Sequence, residues 1–167
     1  MSGTPPDWLP DLIDTNGIWA EVLEALYDVF TTDFVTGKPR YEGLAVWHDR
    51  RKLDGDAHEQ GFWHLVTKED KNSGDRYPDF PRAKRLGWCR ATIDNGMPPD
   101  VLAFDYEEGS GKIRRYLWLH EWDYLVILEK RLNAGQVIAF ILITAFSFEN
   151  DKSYRKKTQK KYDNRVR

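Results

Sequence analysis

The sequence predicts an α+β fold, with N-terminal helices packed on a four-stranded antiparallel β-meander. Three observations predict it. In the first hundred residues apolar side chains recur at three- and four-residue steps. From residue 99 they fall instead into extended runs separated by short turns. The 167-residue length, with 41% apolar content, is the makeup of one compact domain.

After the Pro-bearing start MSGTPPDWLPDLID, Thr15 or Asn16 can cap a helix over about residues 18–32, in which Trp19, Val22, Leu23, Leu26, Val29 and Phe30 share a side. TGKPR breaks it. Leu44 to Trp47 reads as a short strand, DRRKLDGDAHEQG as a polar loop, and Phe62 to Thr67 as a second strand. Pro81 suits the first turn of a basic helix running through RAKRLGWCRATIDN to a left-handed stop at Asn95-Gly96. The meander follows as Val101 to Glu107, Ile113 to His120, Tyr124 to Arg131 and Gln136 to Phe148, turning at EEGSGK, EWD and NAG. The run from Val137 to Ile143 is apolar on both sides, which places it centrally in the sheet. Residues 1–150 form the α+β domain, and residues 151–167 a basic C-terminal helix or tail with a frayed end.

Charge is distributed unevenly. The net charge is −2, yet residues 151–167 carry eight Lys or Arg against two Asp, leaving residues 1–150 with 17 basic and 25 acidic groups, a net −8. The body therefore repels polyanions through its overall field, and any nucleic-acid binding must be local. No apolar run reaches the roughly 18 residues of a membrane span, and the acidic start lacks a signal peptide's character, so a cytoplasmic protein without a membrane partner is expected. One cysteine, Cys89, excludes an internal disulfide, and without CxxC or His/Cys pairs at ligand spacing no metal site is expected. GxxxxGK[ST], GxGxxG opening a helix, HExxH and GxSxG do not occur.

Several residues stand out chemically, each with a structural alternative. His64 in FWHLVT sits on the expected strand with Phe62 and Val66 on its face, as either a satisfied core imidazole or a positioned acid/base. Arg82, Lys84, Arg85 and Arg90, with Trp88 among them, supply guanidinium forks suited to phosphate, or a solvated helix face. Thr144 introduces a hydroxyl into an apolar strand, where threonine is also an ordinary strand former. Lys156, Lys157, Lys160 and Lys161 fall at helical steps, as a stripe tracking a phosphate backbone or as a solubilising tail.

Taken in order, FWHLVT, RAKRLGWCRATI, YLWLHEWDYLVILEKR, FILITAF and the terminal KKY resemble prophage-type small nucleases of the barnase, EndoU, colicin and RelE-like ribonuclease superfamily, over roughly residues 43–162. The resemblance implies helices on a four-stranded meander and metal-independent RNA cleavage without a cofactor. The ribose 2′-hydroxyl would attack the adjacent phosphorus to leave a 2′,3′-cyclic phosphate. It implies His64 as general base or acid, Arg85 and Arg82 on the scissile phosphate, Thr144 on a phosphate oxygen, and Tyr124 as a further catalytic candidate. Arg90, Lys156, Lys160, Lys161 and Tyr162 would contact RNA. The target would be tRNA or mRNA, the context a toxin or phage-related effector, and a proteinaceous inhibitor or antitoxin a possible partner. No second histidine matches with the same assurance, so His48, Tyr124 or a lysine would have to fill the other role. The alternatives are a non-catalytic nucleic-acid-binding module, or an interaction protein such as an antitoxin whose acidic body covers a basic site.

Overall fold

The computed structural model describes residues 3–167. Helix α1, Trp19–Phe30, buries Val22, Leu26 and Phe30, and its last turn widens into a π-helical segment, Thr31–Thr36, that buries Phe34. The residue before α1 is Ile18, and no side chain caps the helix, so the expected Thr15 or Asn16 cap is not used. Two short strands follow, β1 at Arg40–Tyr41 and β2 at Leu44–Trp47.

The expected strand at 62–67 is a helix, α2, Gln60–Val66. Phe62, Leu65 and Val66 are all buried, at the i, i+3, i+4 spacing of one helical face. Strand alternation would have put His64 inside with Phe62 and left Leu65 out. Short apolar runs satisfy both periods, and here the helical one prevails. A two-stranded antiparallel hairpin comes next, β3 at Thr67–Glu69 and β4 at Arg76–Pro78. The basic helix is two pieces, α3 at Phe80–Lys84, capped by the Asp79 side chain, and α4 at Leu86–Asp94, with a break at Arg85. Asn95 ends α4 at φ −120°, not in the left-handed conformation expected there.

Strands β5 at Val101–Glu107, β6 at Ile113–Leu119, β7 at Tyr124–Asn133 and β8 at Gln136–Ser147 run antiparallel in sequence. The sheet is nevertheless not a four-stranded antiparallel meander. It is six-stranded and mixed, in the order β1-β2-β8-β7-β6-β5, because β2 docks parallel along β8 with Ala45, Val46 and Trp47 opposite Ala139, Phe140 and Ile141. The β7–β8 turn is Ala134-Gly135, at φ +51° and +81°, the left-handed pair that a two-residue hairpin demands.

Both sheet faces are covered, unequally. On the inner face α1, α2, α3 and α4 bury Val46, Leu117, Val126, Leu128 and Phe140 with their own apolar side chains. On the outer face a smaller core of Phe104, Tyr116, Trp118, Leu125, Ile127 and Phe148 is closed by Tyr154 and Tyr162 of α5, Lys152–Asp163. The basic C-terminal segment is therefore a packed helix, and beyond it the Val166 N–H donates to the Asp105 carbonyl on edge strand β5 (2.8 Å). Among the described residues no helix is long and apolar enough to cross a membrane.

Candidate functional site

β2 is shorter than its neighbour. Its pairing stops at Trp47 opposite Ile141, while β8 runs on to Ser147. Alongside that free stretch lies α2, which brings the His64 ring against the backbone of Ile143. The chain leaving β2 is tied to the start of α2, where the Gly61 N–H donates to the Asp49 carbonyl (2.8 Å) and the Gln60 N–H to that of Arg51 (2.8 Å). Gly61 suits this approach, since a Cβ there would lie 3.0 Å from the Asp49 oxygen and 3.1 Å from the His48 Cβ, tight enough that the chain would have to give.

The junction opens into a cleft of about 490 Å³ lined by Trp47, Asp49, Arg50, Arg51, His64, Arg131, Ile141 and Ile143, among others. The Trp47 indole is 41% exposed. Asp49 accepts from the Arg51 backbone N–H (3.0 Å), Nε (2.9 Å) and Nη2 (2.7 Å), and these bonds hold its carboxyl below the usual range. Arg50 and Arg131 have no side-chain hydrogen bond or ion pair among the described residues, so both guanidinium groups are free to bind an anion.

Burial, with the charges of Arg76 and Arg82, lowers the His64 pKa against the opposing influence of the Ile143 carbonyl and Asp49. The ring is thus neutral at neutral pH and able to accept a proton. Behind it, His48 is buried beside Phe30, with Nε2 3.7 Å from Glu59 Oε2. Burial lowers its pKa too. The Tyr27 hydroxyl donates to Glu59 (2.7 Å), a contact that pushes the phenol up to about 12. His48 is nonetheless one of the residues lining the cleft, while His58 packs on Tyr27 at 4.0 Å between ring centres.

The remaining residues singled out by sequence lie elsewhere. Arg82 donates to the carbonyls of His64 (2.8 Å) and Thr67 (3.0 Å), clamping the end of α2. Arg85 donates to Pro81 (2.9 Å) and pairs with Glu149 (2.6 Å), and Arg90 is held by Asp94 and the Asp33 carbonyl (2.7 Å). These guanidinium groups therefore hold partners within the fold, and none of the three lines the His64 cleft. Tyr124 is a core residue, its hydroxyl donating to the Arg85 carbonyl (3.4 Å) beside buried Cys89, which removes it from any surface chemistry. Thr144 is half-buried on β8, adjacent to cleft residue Ile143.

Lys156 and Lys160 are exposed on α5, but Lys161 turns inward, donating to the Tyr116 hydroxyl (2.9 Å), and Tyr162 packs on Phe104. The four lysines therefore do not form one stripe. Of the expected catalytic residues, His64 lines the cleft, and so does His48, one of the groups considered for the second role. Trp47, Arg50, Arg51 and Arg131 were missed, although the adjacent arginines of DRR directly after Trp47-His48 were a visible signal. Among the described residues no group of three or more His, Cys, Asp or Glu is arranged to hold a metal ion. No known protein family, curated protein or solved structure matches this chain.

Proposed function

We propose that this protein is an endoribonuclease that works without a metal at the His64 cleft. One observation carries the reading: a neutral imidazole shares a cleft with two unpaired guanidinium groups and an exposed indole. Single-stranded RNA supplies what each would meet, a 2′-hydroxyl, a phosphate and a base. The His64 ring nitrogen takes the 2′-hydroxyl proton as the 2′-oxygen bonds to phosphorus. The bond from phosphorus to the 5′-oxygen breaks, and that oxygen takes a proton from the water of the open cleft. Arg50 and Arg131 stabilise the added charge on the phosphorane, and the products are a 2′,3′-cyclic phosphate and a 5′-hydroxyl.

On this reading β5 to β8 and the inner helices correspond to the core of the barnase, EndoU, colicin and RelE-like superfamily, with β1, β2 and α5 as additions. The cellular role is that of a toxin or phage-related effector restrained by a protein inhibitor. Incubation of the purified protein with total RNA in EDTA tests the activity. Wild type should give discrete fragments with cyclic-phosphate ends, and His64→Ala should lower the rate by at least about 10²-fold. Unchanged cleavage by the folded variant would remove His64 from the mechanism. Intact RNA with the wild type would leave the second reading, binding without cleavage. That reading is favoured by His48, the other imidazole lining the cleft, being buried with its Nε2 3.7 Å from Glu59.

A further inference from the structure

The register of the sheet sets one row of side chains across five strands of its outer face. Tyr106 stands opposite Arg114, Arg114 opposite Glu129, Glu129 opposite Ile141, and Ile141 opposite Trp47. Directly opposed residues share a face, and this face is the one carrying Phe104, Tyr116 and Ile127 of the outer core. α5 covers that core and reaches the row at Tyr106, and the members of the row are all exposed or half-buried. With strands about 4.8 Å apart, the row measures roughly 19 Å. At one end is the His64 cleft, of which Trp47 and Ile141 are walls. At the other is α5, where Lys161 Nζ sits 5.2 Å over the Tyr106 ring and Lys157 stands close enough to perturb Lys161.

Cations outnumber anions along it. Arg131 lies two residues beyond Glu129 on the same strand face, and Lys112 and Arg114 flank Glu129 at 3.8 and 3.7 Å. Lys161 meets the one carboxylate Glu108 (3.8 Å) with Lys157 and Arg114 as neighbouring like charges. Arg114 Nε is buried and has no hydrogen-bond partner among the described residues. A local concentration of cations with an aromatic ring at its reactive end, on a body that is net acidic, suits the binding of an anion.

We infer that this row is a track for single-stranded RNA, which carries the strand from the His64 cleft across β8, β7 and β6 to Lys157 on α5. The inference rests on the ribonuclease reading and extends it, from a site that takes one phosphate to a substrate class of several contiguous unpaired nucleotides. At about 3.4 Å per stacked nucleotide, the track holds at most about six. Trp47 stacks a base at the cleft, and Arg114, Arg131 and Lys157 meet successive phosphates.

The test uses the full chain and fluorescent 2′-O-methyl RNA, which lacks the attacking hydroxyl and so reports binding without cleavage. Affinity should rise at least about tenfold from dinucleotide to octanucleotide. Arg114→Ala and Lys157→Ala should each abolish most of that gain while leaving dinucleotide binding, and cleavage of an unmodified dinucleotide, unchanged. Arg114→Lys should recover part of it, which separates charge from fold. Equal affinity for both lengths, an unaltered octanucleotide affinity in Arg114→Ala and Lys157→Ala, or equal competition by an acidic peptide would overturn the track. Length-dependent binding without cleavage of unmodified RNA would sink the ribonuclease reading alone.

Discussion

A half-buried imidazole with two guanidinium groups behind it releases its proton more readily than one in water, and for His64 this fixes the direction of the pH response. Cleavage should rise with pH through the depressed His64 pKa and level off, with a midpoint below the ordinary 6.5. Arg76→Gln removes one of the causes, so its midpoint should move upward. A midpoint unmoved in that variant would show that another group titrates. The same shifts bear on stability. His48 and His64 are held neutral in the fold, so the unfolded chain binds more protons near pH 6 than the folded one. Their contribution is fully present above about pH 6.5 and is lost as pH falls toward the folded values, so the thermal midpoint should drop over that range. At this scale the sequence showed which residue types carry chemistry but not which are free. Arg82, Arg85 and Arg90 looked like the cationic site because they cluster on one helix. The partners that occupy them, the His64 and Thr67 carbonyls, Glu149 and the Asp33 carbonyl, come from distant parts of the chain.

Between elements, the contact of Gly61 with the chain leaving β2 holds the cleft in shape. Gly61→Ala should part α2 from Asp49 by a few tenths of an ångström, at a cost of about 1–3 kcal/mol. Denaturant melts should show the loss, and cleavage should fall with it. α5 is likewise structural. Deleting residues 151–167 uncovers Phe104, Tyr116 and Trp118, so the truncated chain should melt earlier and aggregate, rather than simply bind RNA less well. An intact, equally stable truncation would show that α5 is dispensable to the outer core. The long strands were legible because β5 to β8 are consecutive in sequence and pair through short turns. The parallel β2–β8 pairing was not, because nothing in Leu44-Ala45-Val46-Trp47 encodes a partner about ninety residues away. Nor was α2, whose seven residues fit two periods until the Phe62, Leu65 and Val66 packing chooses one.

For the molecule as a whole, the acidic body and the basic last helix set how binding responds to salt. If roughly three to five phosphates are neutralised along the outer face, the logarithm of affinity should fall against the logarithm of salt with a slope of about −2 to −3.5. A slope near zero would mean that the cations are not in contact with phosphate. The β2–β8 pairing also bears on when the cleft can form. One wall of the cleft, Trp47 to His64, is made early in translation, and the other, Arg131 to Ile143, is made late. On the ribosome the early half emerges with an unpaired β2 and a histidine that has no strand to lie against. The cleft can form only after β8 has left the tunnel, so a nascent chain passes most of its synthesis, close to messenger and ribosomal RNA, with its two walls still apart.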